Sequence, residues 1–94
     1  MTPSQRKLAA LSMDLKRVAL SYHGNSLPTA TRFTTESLHK AKSLDSSHLP
    51  NYVKKILDSL EGILKQKDEQ KIAEDALMYS TILQNAALTN TINQ

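Results

Sequence analysis

The 94-residue sequence predicts an all-α fold, a small antiparallel four-helix bundle. Three observations carry that expectation. Apolar residues recur at intervals of three and four over four separate stretches, the spacing that lines one face of a helix. The stretches are joined by connections of about three to seven residues, short enough to make sequential helices antiparallel neighbours. Helix-starting and helix-stopping residues stand at their ends. The expected helices span about 3–23, 28–44, 51–66 and 69–88, within a single helical domain over 1–94.

The first helix places Leu8, Leu11, Leu15, Val18 and Tyr22 on one face. Thr2 is placed to cap its start, Pro3 suits the first helical position, and Gln5 completes a Thr-x-x-Gln capping box. Gly24 follows the last apolar position, where a left-handed residue commonly ends a helix. A second stripe, Ala9, Met13, Lys16 and Leu20, lies off the main face. A helix apolar on two sides either exposes one of them to a partner or is enclosed by its neighbours.

The second segment is less regular. Ala30, Phe33, Ser37, Leu38, Ala41 and Leu44 fit a helical stripe, but four threonines between 29 and 35 lower helix propensity and imitate a strand. A lone strand would have no partner in this chain, so a helix with a frayed first turn is expected. The third helix has the clearest amphipathic pattern. Val53, Ile56, Leu57, Leu60, Ile63 and Leu64 oppose Lys54, Lys55, Asp58, Glu61 and Lys65, with Gly62 inside at a cost of about 1 kcal/mol relative to alanine. Continuing that stripe reaches Lys67 and Lys71, so a break is expected before the apolar set restarts at Ile72, Ala73, Ala76, Tyr79, Leu83 and Ala86. Asp68 is the expected cap and Glu69 complements the positive first turn of the fourth helix. The uncharged tail beyond Leu88 is expected to fray.

The net charge of +3 is unevenly divided. Residues 1–67 carry eleven Lys/Arg against five Asp/Glu, and residues 68–94 carry one against four. No apolar run approaches the roughly 20 residues needed to span a bilayer, so no membrane insertion is expected. With no cysteine, disulfides, thiolate metal sites and cysteine nucleophiles are excluded, and an intracellular, cytoplasmic or nuclear location fits.

Candidate chemistry starts with histidine. Glu36 and His39 stand three apart on a helix, as in carboxylate-bridged di-iron bundles, but such sites require a second Glu-x-x-His and two further glutamates. Neither set is present, His23 and His48 lie at helix ends without ligand spacing, and neither a metal nor another cofactor is expected. The run His39-Lys40-Ala41-Lys42-Ser43 resembles the active segment of histidine phosphotransfer domains, themselves four-helix bundles. That resemblance implies that His39 accepts a phosphoryl group and Lys42 neutralises it. Ser43 stands where that family usually carries glycine. No glycine-flanked serine and only two glycines are present, and no enzyme is expected.

Two binding classes remain. Arg6-Lys7, Lys16-Arg17, Lys40-x-Lys42 and Lys54-Lys55 supply doublets able to track the phosphates of a nucleic acid such as RNA, weakly and electrostatically. The few aromatic rings fall mostly on core stripes, which counts against stacking on single strands. Protein recognition has more to build on. Met13 and Leu20 beside Lys16 and Arg17, and Met78 and Ile82 beside Glu74 and Asp75, resemble the apolar surfaces that receive a partner helix or peptide. The leading expectation is a non-catalytic adaptor or scaffold module of a larger assembly, with a homodimer as another use of the same surface.

Overall fold

The computed structural model describes residues 2–89. Four helices follow one another: α1 (Pro3–His23), α2 (Leu27–Ser43), α3 (Asn51–Leu64) and α4 (Glu69–Leu88). The described residues contain no strand, and the expected all-α bundle is what forms. The expectation for the tail beyond Thr89 falls outside the described residues.

The start of α1 uses both halves of the capping box. The Gln5 N–H donates to the Thr2 hydroxyl at 3.1 Å and the Thr2 N–H donates to Gln5 Oε1 at 2.8 Å, satisfying two donors that the helix itself cannot pair. The stop of α1 differs from expectation in one respect. Gly24 is not left-handed; Asn25 is, with φ 58°. The Ser26 N–H reaches back to the Ser21 carbonyl at 2.8 Å and the Asn25 N–H to the Tyr22 carbonyl at 3.1 Å. These two bonds form a Schellman ending whose left-handed position falls one residue later than the glycine, and asparagine tolerates it.

Helix α2 begins at Leu27, not at Pro28, and its first turn is helical rather than frayed. Proline as the second helical residue loses no bond, because its N–H would be unpaired there anyway. The Ala30 N–H closes the turn onto the Ser26 carbonyl at 3.0 Å. The helix ends at Ser43, one residue short of the expected Leu44, which is extended and buried. The turn that follows is held by Asp45, whose carboxylate accepts from the Ser47 N–H at 3.1 Å and the Ser47 hydroxyl at 2.8 Å. Those bonds hold the Asp45 carboxyl below its ordinary pKa. Buried Leu49 then anchors the chain to the core before Pro50 opens α3.

Helix α3 ends at Leu64, two residues before the expected 66. The Gln66 side-chain amide donates to the Ile63 carbonyl at 2.9 Å and to Asp75 on α4 at 3.1 Å. Gln66 therefore satisfies an orphaned helix-end carbonyl and ties the connection to the next helix. Asp68 caps α4 as expected, accepting from the Lys71 N–H at 3.1 Å.

One hydrophobic core joins all four helices. Leu8, Leu11, Leu15 and Val18 of α1 meet Val53, Leu60 and Leu64 of α3 and Ile72, Ala76, Leu83, Ala86 and Ala87 of α4. Tyr22 and Tyr79, expected in the core stripes, are only partly buried at its edge. Helix α1 is the hub, packed against α4 on one side and α2 on the other. Its contact with α4 is antiparallel: the Ser80 hydroxyl donates to the Ser12 carbonyl at 2.8 Å, and the Gln5 amide to the Thr89 carbonyl at 3.4 Å.

Candidate functional site

Ser12 and Ser80 mark the line along which α1 and α4 face each other. With about 100° of rotation per residue, Met13, Lys16 and Leu20 follow Ser12 by one, four and eight positions and turn to one side of that line. Thr81, Gln84 and Leu88 follow Ser80 by the same offsets, and Leu77 precedes it by three. In antiparallel helices equal offsets turn to the same side, so both sets share one outer face. The opposite offsets confirm the geometry, since Leu8, Leu15, Ala76 and Leu83 turn inward and are buried. On the outer face Met13 is 39% exposed, Leu20 57% and Leu77 43%, with Leu88 exposed at the far end. The row from the level of Leu20 to that of Leu88 is about 24 Å long, the length of a helix of roughly 16 residues.

Charge borders this row on one sign. Arg6 and Lys16 of α1 are exposed along it, and Glu74 of α4 is the one carboxylate on that side among the described residues. Of the residues expected to bind a partner, Met13, Lys16 and Leu20 are thus gathered on a single face, whereas Arg17 turns to Asp14 and Phe33 on the α2 side. Met78 and Ile82 are placed elsewhere: they lie two positions to either side of Ser80 and turn away from α1. Met78 is exposed and Ile82 half-buried. Leu77, which the stripe analysis passed over, takes their place beside Met13.

On the other side of α1 stands a buried carboxylate. Asp14 is only 3% exposed and is held by Lys40 of α2 at 2.5 Å and by Arg17 at 3.0 Å. The hydrogen bond to Asp14, with added attraction from Asp14 and Glu36, raises the Lys40 ammonium above its ordinary pKa. Arg17 also lies over the Phe33 ring, 5.4 Å from its centroid, and Arg32 covers the same ring at 5.3 Å. This cluster locks α2 onto α1 and leaves no reactive group free.

The same cluster bears on the cationic residues. Arg17 and Lys40 are engaged by Asp14, and Arg6 and Lys16 lie on the outer face of α1. Lys54 and Asp58 border a cleft between α2 and α3, together with Lys42 and Glu61. Lys7 and Lys55 are exposed on α1 and α3. The doublets are therefore dispersed over three helices instead of forming one phosphate track.

Glu36 turns to Lys40 at 3.6 Å. His39 and Lys42 do come together, at the rim of a cleft of about 520 Å³ lined also by Tyr22, Thr34, Leu38, Leu64 and Lys65. Among the described residues no three His, Cys, Asp or Glu side chains cluster as a metal ion would require, and no helix is long and apolar enough to cross a membrane. No protein-family model, no curated protein and no solved structure matches this chain. Fold and surface therefore define it only as a small helical bundle with an apolar outer face bordered by basic residues.

Proposed function

We propose that this chain is a non-catalytic adaptor module of an intracellular assembly, and that the outer face of α1 and α4 receives an acidic amphipathic helix from a partner protein. The observation that carries this reading is the alignment of Met13, Leu20 and Leu77 beside Arg6 and Lys16. Apolar side chains at helical spacing on one side suit anchors at i, i+3, i+4 and i+7 on a partner. The flanking cations favour a partner whose rim is acidic and steer its approach. Methionine adapts to the shape of what it meets.

The test compares proteins retained by the native chain with those retained by a Met13→Asp/Leu77→Asp variant, after circular dichroism confirms that both are equally helical. We expect a protein with an acidic amphipathic helix to be retained by the first and lost from the second. Retention that survives these substitutions, falls steeply with salt and depends on nucleic acid would replace this reading with electrostatic RNA binding. Loss of a self-associated state alone would replace it with a homodimer.

A further inference from the structure

The cleft between α2 and the ends of α1 and α3 is not used by the proposed docking face, and its chemistry is of another kind. Its floor is apolar: Leu64 is buried, and Tyr22 and Leu38 are half-buried. Its rim carries His39, Lys42 and Lys65, all exposed, and none of its lining residues is acidic. Lys42 makes no ion pair among the described residues. Lys65 is paired with Glu61 at 3.4 Å, but both side chains are more than half exposed and such a pair is readily displaced. Of the threonines lining the cleft, Thr34 turns its hydroxyl inward, where it is shielded from solvent and has no hydrogen-bond partner among the described residues. The neighbouring Thr35 hydroxyl, in contrast, donates to the Thr31 carbonyl at 3.1 Å.

We propose that this cleft binds a small organic phosphate monoester, its ester group on Leu38, Leu64 and Tyr22 and its phosphate between Lys42 and Lys65. The volume of about 520 Å³ lies within the range of small-molecule sites. Two ammonium groups answer a dianion, and the His39 imidazole N–H adds a third donor. A phosphate offers three acceptor oxygens to this set, whereas a carboxylate offers two and leaves donors unmatched.

The experiment is a titration of the full chain, labelled for two-dimensional amide NMR, with phenyl phosphate at neutral pH, and with inorganic phosphate and benzyl alcohol as separate probes. We expect saturable shifts confined to Tyr22 and residues 31–42 and 64–65, with both simpler probes at least about tenfold weaker, a difference of roughly 1.4 kcal/mol. A Lys42→Ala/Lys65→Ala variant, changed only at exposed positions, should lose at least about tenfold in affinity. No saturable shift, shifts spread over basic residues across the surface, or equal binding by the double-lysine variant would overturn the assignment. If benzyl alcohol binds as well as phenyl phosphate, the cleft is an apolar site and the phosphate assignment fails. None of these readouts involves Met13, Leu20 or Leu77, so success or failure here is independent of the docking face.

Discussion

Along the seam between α1 and α4, the side chains that face inward are fully buried leucines or small residues: Leu8, Leu15 and Leu83 with Ser12, Ala19, Ala73, Ala76, Ser80 and Ala87. Across the molecule, α2 completely buries only Ala30 and Ser37, and two clefts separate it from α3. Small residues let α1 and α4 approach closely, so their leucines fill the remaining space. Threonines at 29, 31, 34 and 35 weaken the intrinsic helicity of α2, which relies on the Asp14 clamp. The two regions thus have different duties. The seam supplies stability and carries the proposed docking face on its outside, while the α2–α3 flank has the room and the polar lining for the proposed small ligand.

The largest effect that separates the two regions is expected from core truncation. Leu15→Ala should cost about 2–5 kcal/mol in urea unfolding, because the seam cannot collapse around the cavity. Leu38→Ala on the flank, half-buried beside existing clefts, should cost less than about 1.5 kcal/mol. Equal losses would abolish the distinction.

Two serines sharpen it. Ser80 spends its hydroxyl on the Ser12 carbonyl across the seam, and Ser80→Ala should destabilise by about 1 kcal/mol. Ser37 is fully buried with no hydrogen-bond partner among the described residues, so Ser37→Ala should leave stability unchanged or raise it by up to about 1 kcal/mol. Both are read from paired thermal or urea unfolding curves.

Gly62 marks a smaller correction. An added methyl group would meet nothing within 4 Å, so Gly62→Ala should stabilise by about 0.5–1 kcal/mol, chiefly by restricting the unfolded chain and favouring α3.

The smallest effect is expected from pH. The Lys40 pKa is raised above its ordinary 10.5 by the Asp14 hydrogen bond. Its contribution to stability is therefore full below pH 10.5 and is lost as pH rises through the higher folded-state value. Unfolding of the native chain compared with Lys40→Met should show the advantage of lysine shrinking only at this alkaline end. An advantage that shrinks near neutrality would contradict the clamp.

Much of this architecture is legible in the sequence because it is local. The Thr2–Gln5 box, the Asp68 cap and the apolar restart at Ile72 each depend on residues within one or two turns. What sequence does not show depends on which helix lies beside which. Asp14 reads as an ordinary polar-face residue, and only the passage of α2 over that side buries it against Lys40. The choice of Met78 and Ile82 over Leu77 has the same origin: one position on a helix is about 100° of rotation, and the line marked by Ser80 is set by packing. Likewise, the threonines of α2 read as poor helix formers, whereas the cleft they line needs Tyr22, Leu64 and Lys65 from two other helices.

The docking face is tested most directly by replacing Leu77 with a photo-crosslinking amino acid in the full chain within its own cells, with Lys55 on the exposed side of α3 as the comparison position. We expect a discrete protein adduct from position 77, joined through an acidic amphipathic helix, abolished by Met13→Asp and missing from position 55. Adducts of equal yield from both positions, adducts to nucleic acid, or an adduct only to a second copy of this chain would contradict it.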